Sequence, residues 1–169
     1  MVTSMIRSSF VIGLLMALLA PSSFGEAGGE QHGHQLSPID SSKAEETPFG
    51  RTGDPQKAKR TIRVNMGDDM RFSPAELHVR RNDTVRFVVK NSGKQMHEMV
   101  LGTMADLKAH ADAMRDNAGM EHDDAWMVHV APGKTGELGW QFTKPGTFYY
   151  GCLIPGHFEA GMVGKVIVK

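Results

Sequence analysis

The residues best equipped for chemistry sit in one short stretch, residues 151–162. Cys152, His157 and Met162 follow one another at intervals of five, with Pro155, Gly156 and Gly161 between them. They offer a thiolate, an imidazole and a thioether. Thiolate and thioether are soft donors that suit copper, and one thiolate, two imidazoles and a distant Met make an electron-transfer copper site. The stretch holds three of those four donors, and the fourth must come from elsewhere in the chain. Pro155 stiffens such a loop, while Gly156 and Gly161 permit tight backbone turns around an ion.

The missing imidazole is expected on a neighbouring strand, far off in sequence, where a rigid sheet can hold it. Of the eight histidines, His97 fits best, because it opens an apolar run directly after the Asn91-Ser92-Gly93-Lys94 turn. His129 is the rival, inside the run from Trp126 to Val130, where alternation puts it on the face of Met127. His78 alternates against Leu77 and Val79 and is expected to face solvent. His110 and His122 fall in or after a helical stretch, and His32 and His34 in a polar tail. Met96, Met99, Met120 and Met127, with His122 and His129, could make a second soft-metal site. Methionine also fills irregular cores, and that reading is preferred for these residues.

The elements that position these side chains are short strands. Residues 61–66, 76–80 and 84–90 alternate apolar and polar as half-buried strands do, with Val85, Phe87 and Val89 on one face. Further runs are expected at 70–72, 97–101, 126–130, 135–142, 147–151 and 163–168. Asn82-Asp83, Pro132-Gly133 and Pro145-Gly146 mark turns. Short strands with turns this frequent predict an all-β fold, a sandwich or barrel. One helical insertion interrupts it after Gly102: Met104, Leu107, Lys108, Ala111 and Met114 follow a helical spacing, Thr103 is a plausible N-cap, and residues 117–119 are a stop.

Composition sets the frame. The chain has 169 residues, with 19 basic and 19 acidic side chains, so no net field argues for nucleic acid or a membrane surface. Arg7 followed by an apolar run from Phe10 to Ala20 and then small residues reads as a signal peptide over residues 1–25. The run is too short to span a bilayer, which takes about 20 residues. Residues 26–59 are polar and Gly/Pro/Ser-rich and are expected to form a flexible tail; residues 60–169 form the folded domain. Export sharpens the meaning of Cys152, the one cysteine in the chain. It has no intramolecular disulfide partner, and metal ligation is what keeps an exported thiol from oxidation.

The stretch from Gly146 to Cys152, the Cys-x4-His-x4-Met loop and a His opening an earlier strand resemble the cupredoxins, the family of plastocyanin, azurin and auracyanin. The likeness covers residues 60–169. It implies a Greek-key β-sandwich binding one type 1 copper per chain through His97, Cys152, His157 and Met162. Within the family, leader and loop look most like exported bacterial copper-tolerance proteins. Two departures stand out. Cys-x4-His is the azurin spacing, whereas His-x4-Met is that of plastocyanin. Many relatives carry Asn directly after the first ligand His, tying the two ligand loops together; here it is Glu98, a carboxylate beside the site.

The function expected from these residues is one-electron transfer, or copper handling and tolerance, in a bacterial periplasm. The partner is a redox or copper-handling protein, with neither nucleic acid nor stable membrane insertion after leader cleavage. A copper buffer or chaperone using a further Met/His site is the alternative. Enzyme chemistry is not expected. Cys152 and His157 imitate a nucleophilic pair but no third group orients them, and zinc would gain little from Met162.

Overall fold

The computed structural model describes Ala44, residues 46–116 and residues 124–169. The expected leader, the His32/His34 pair, the helix stop at residues 117–119, Met120 and His122 lie outside the described residues.

Alternation in the sequence becomes a two-sheet sandwich. The strands are β1 (Glu46–Thr47), β2 (Gly50–Thr52), β3 (Arg60–Gly67), β4 (Arg71–Ser73), β5 (Glu76–Val79), β6 (Thr84–Asn91), β7 (His97–Gly102), β8 (Met127–Val130), β9 (Thr135–Gln141), β10 (Gly146–Gly151) and β11 (Val163–Val168), with helix α1 (Met104–Asp116) between β7 and β8. One sheet runs β1-β2-β9-β6-β3-β4, the other β5-β11-β10-β7-β8. The pairs β3/β6 and β5/β11 are parallel and the remaining pairs antiparallel. Ile62, Val64 and Met66 of β3 and Val85, Phe87 and Val89 of β6 point inward, meeting Met99, Leu101, Tyr150 and Val166 of the other sheet in one core. This is the expected all-β sandwich, with one α-helix among the described residues.

Regular structure is already present before residue 60. Residues 46–57, expected in a flexible tail, supply β1, β2 and a 3-10 turn at Pro55–Lys57. β2 pairs with β9 through Arg51↔Gln141 and Thr52↔Trp140. The anchor is Phe49, whose ring stacks on Trp140 at 5.2 Å and whose carbonyl accepts the Trp140 indole N–H at 3.1 Å. One buried aromatic offsets the ordering entropy that an otherwise polar segment would not.

Helix α1 opens with a reciprocal cap. Thr103 Oγ1 accepts the Asp106 N–H at 3.2 Å, and Asp106 Oδ2 accepts the Thr103 N–H at the same distance, satisfying two donors that a helix start leaves orphaned. Leu107 and Ala111 form its buried stripe and pack with Val100, Met127 and Leu153 in a second apolar cluster. β7 is therefore covered on both faces: Met99 and Leu101 belong to the main core, Val100 to the cluster under α1. All six of its residues are buried, which is why Met99, Val100 and Leu101 follow one another without alternation.

Candidate metal centre

β10 ends at Gly151, and the chain turns at once from Cys152 into the loop that reaches Met162 and β11. The Cys152 N–H donates to the Met162 carbonyl at 3.1 Å, and the Met162 N–H to the His157 carbonyl at 3.0 Å. Between them the loop coils tightly, with His157 N–H on the Ile154 carbonyl at 2.9 Å and Ala160 N–H on the Gly156 carbonyl at 3.1 Å. Gly156 and Gly161 have φ of 90° and 89°, a backbone region that glycine enters without strain. Arg71 of β4 ties the loop down by donating to the Ala160 carbonyl at 2.9 Å.

Three side chains meet at this end of the sandwich. Donor atoms of His97, Cys152 and His157 all lie within 4.8 Å of one another. Cys152 Sγ is 3.3 Å from His157 Nδ1 and 4.0 Å from His97 Nδ1. A first-row ion with bonds of about 2.0–2.3 Å to imidazole and thiolate would sit between donors spaced in this range. His97, Cys152 and Met162 have no exposed surface, and His157 keeps 8 %. Met162 is tied to Cys152 and His157 by the two backbone hydrogen bonds just described, and lies within the same core cluster as Cys152.

The electrostatics fit a cation. Burial pushes the Cys152 thiol up to about 12; the backbone amides of Glu98 and Ile154 oppose this, and the Glu98 carboxylate adds to it. Such a thiol keeps its proton at neutral pH and is a poor nucleophile, whereas a coordinating metal ion deprotonates a thiol outright. Burial first, and then the neighbouring His97, hold His157 below the usual imidazole range, so its ring is poised as a neutral donor. A buried, soft, three-donor set of this kind suits one type 1 copper.

Two carboxylates surround the cluster. Glu98 is 1 % exposed, and its Oε1 accepts the Leu153 N–H at 2.8 Å, tying β7 to the loop after Cys152. Its Oε2 lies 2.8 Å from His129 Nε2, although no hydrogen bond of good geometry reaches that oxygen. On the opposite side Asp68, in the turn between β3 and β4, approaches His97 Nε2 at 3.2 Å. The Lys94 amide, foremost among its partners, holds the Asp68 carboxyl below its ordinary value against some desolvation.

The rival imidazole is thereby placed. His129 pairs with Glu98 across the β7/β8 register, and the three-donor cluster does not include it. Of the residues suggested for a methionine site, Met99 packs in the main core and Met127 in the cluster under α1, and Met96 is 46 % exposed, in keeping with the preferred reading of methionine as filler. His78 faces solvent, as alternation predicted. Asp68 had escaped notice, for nothing local marks a residue 29 positions from its partner.

A two-sheet sandwich with a buried His–Cys–His cluster at one end defines a small copper protein, and the chain belongs to the copper binding proteins of the plastocyanin/azurin family, whose model matches residues 58–169. It is 54 % identical over 153 residues to the copper-resistant cuproprotein CopI of Rubrivivax gelatinosus, covering 90 % of this chain and 92 % of that protein. With the CopI of Pseudomonas aeruginosa the identity is 37 %, over 72 % of this chain and 82 % of the relative. Among solved structures, reduced auracyanin from Roseiflexus castenholzii superposes with a TM-score of 0.57 at 26 % identity, covering 66 % of this chain and 98 % of its own. Among the described residues no helix is long and apolar enough to cross a membrane.

Proposed function

We propose that this protein is an exported copper-handling protein whose type 1 site passes one electron at a time, with His97, Cys152 and His157 as the trigonal ligands and Met162 as the axial one. The observation that carries the reading is the buried meeting of the three donor atoms at one end of the sandwich. Copper, when bound, supplies exchange between Cu(I) and Cu(II). The chain's own part is to hold the donors still: His97 is fixed in β7, Cys152 at the end of β10, and His157 by the coiled loop between β10 and β11. Donors that need not move when charge changes keep reorganisation small. His157 alone of the cluster touches solvent, so an electron or copper partner docks at its edge, where Pro155 and Gly156 are exposed.

Handling and tolerance are favoured over pure electron carriage by the two relatives named as copper-resistant cuproproteins. A periplasmic destination is supported by the leader pattern over residues 1–25 and by the lone cysteine. Nucleophilic catalysis by the metal-free protein is disfavoured because the Cys152 thiol is wholly buried and, without a metal, keeps its proton. The domain plan that follows is a leader, a linker, and a copper-binding domain that takes in residues 46–59 as well as 60–169.

Titration of the purified protein with Cu(II) tests the ligand set. An intense visible thiolate-to-copper band is expected, lost in Cys152→Ser and His97→Ala and kept in His129→Ala. A band that survives His97→Ala but not His129→Ala would assign the second imidazole to His129 instead. Amino-terminal sequencing of the protein from a periplasmic extract tests export; a chain still starting at Met1 would overturn it.

A further inference from the structure

The geometry points to Asp68 as a positioning residue of the copper site, a carboxylate that locks the ring and tautomer of His97 and strengthens it as a donor to Cu(II). The inference rests on the reading of His97 as a ligand. Asp68 sits in the β3–β4 turn, and its carboxylate reaches across to the strand entry before β7. Oδ2 accepts the Lys94 N–H at 2.8 Å, and Oδ1 accepts the Gln95 N–H at 3.3 Å. Oδ1 also lies 3.2 Å from His97 Nε2. One side chain thus fixes the backbone leading into His97 and the ring itself.

The approach is built into the backbone. A Cβ on Gly93 would lie 2.1 Å from Asp68 Oδ1 and 3.1 Å from the Asp68 backbone nitrogen. A side chain at residue 93 and the present placement of Asp68 are therefore incompatible. The same loop has a second anchor that does not touch the ring, Ser92 Oγ donating to Asn65 Oδ1 at 2.5 Å.

The chemistry follows from burial. The His97 ring has no exposed surface, so no water competes for Nε2, and a carboxylate can only accept from it. The proton must then be on Nε2, which leaves the Nδ1 lone pair directed at the side where Cys152 Sγ lies 4.0 Å away. A carboxylate behind a ligating imidazole raises its basicity, and removing such a partner costs about 10–100-fold in metal affinity. The added negative charge favours Cu(II) over Cu(I). Asp68 therefore tightens the oxidised state selectively and lowers the reduction potential.

The test compares wild type, Asp68→Asn and Ser92→Ala by chelator competition for Cu(II) and Cu(I), by voltammetry and by visible absorption. Asp68→Asn is isosteric and is expected to keep the band, lose about tenfold in Cu(II) affinity and change Cu(I) affinity less than twofold. That tenfold difference between oxidation states is a rise of about 59 mV in potential. Ser92→Ala, which loosens the loop alone, is expected to leave both affinities and the potential near wild type. Equal shifts in the two variants, or none in Asp68→Asn, overturn the role of Asp68. If Asp68→Asn does not fold, nitrogen-15 NMR of the Cu(I)-loaded wild type decides. A slowly exchanging His97 Nε2 proton correlated with the Asp68 carboxylate supports the inference, and a rapidly exchanging one overturns it. A wild type that binds copper without a thiolate band instead overturns the ligand set beneath it, whatever Asp68 does.

Discussion

The Glu98 carboxylate accepts the backbone N–H of Leu153 at 2.8 Å, a buried bond between residues 55 apart that ties the His97 strand to the Cys152 loop. Where an Asn would do this with a neutral amide, this chain uses a charged group and sets His129 against its other oxygen at 2.8 Å. The two oxygens thus have separate tasks, one structural and one electrostatic.

Truncating that tie should cost stability even without metal. Glu98→Ala leaves the Leu153 N–H buried and unpaired, a loss of about 1–3 kcal/mol. Glu98→Gln keeps an amide oxygen for the same N–H and gives up only the charge facing His129, so its loss is expected to be smaller. Urea unfolding of the metal-free proteins checks this. Equal losses in the two variants would mean that the contact with His129, rather than the loop tie, matters.

Much of this site could be read along the chain because its parts are local. Cys152, His157 and Met162 share one loop, and the types and spacing of a thiolate, an imidazole and a thioether carry their own chemistry. His97 is suggested by its position after a turn, though alternation gives no help in a strand buried on both faces. Choosing between His97 and His129 needed the β7/β8 register, which directs His129 to Glu98. Asp68 and the strands at residues 46–52 were invisible for a common reason. Each depends on contacts far along the chain, Asp68 with Lys94, Gln95 and His97 and the strands with Trp140 and Gln141, and neither has a local periodicity to announce it.

Met162 offers a way to separate packing from ligation. Leucine is close to methionine in volume, and such swaps usually cost less than about 1.5 kcal/mol. Met162→Leu is therefore expected to fold and to keep the visible band, which comes from the thiolate. Losing a thioether that donates to Cu(II) should raise the reduction potential and shift the band. Voltammetry and absorption together check both; an unchanged potential would reduce Met162 to a core residue.

Gly164 predicts a purely steric effect beside the site. A Cβ there would lie 2.3 Å from Tyr150 Cζ and 2.5 Å from its hydroxyl oxygen, and the ring is pinned because that hydroxyl donates to the Pro74 carbonyl at 2.6 Å. Gly164→Ala should destabilise by about 1–3 kcal/mol, the usual cost of overpacking. In a Tyr150→Leu background the same change should cost less, because the obstructing ring is gone. A double-mutant cycle by thermal unfolding reads the difference directly.

The exposed edge of the smaller sheet predicts the pH dependence. Glu76 and Lys165 face each other in the parallel β5/β11 pair, with Lys165 Nζ 2.7 Å from Glu76 Oε2 and His78 Nε2 3.0 Å from Oε1. The Lys165 hydrogen bond, ahead of all other causes, lowers the Glu76 carboxyl, and Glu76 in turn raises Lys165. Between its folded and unfolded values the unfolded state binds the extra proton at Glu76, so stability rises with pH there. The carboxylate's share is complete above its unfolded value of about 4.3 and fades as pH falls through the folded one. The lysine's share is complete below about 10.4 and is lost as pH climbs through its raised value. Glu76→Gln should therefore lower the urea midpoint between about pH 5 and 10 and converge on wild type in stronger acid. The pair is solvent-screened, so the gap will be small and should shrink further with added salt. A gap that persists unchanged at about pH 2 would show that Glu76 acts through packing and not through its charge.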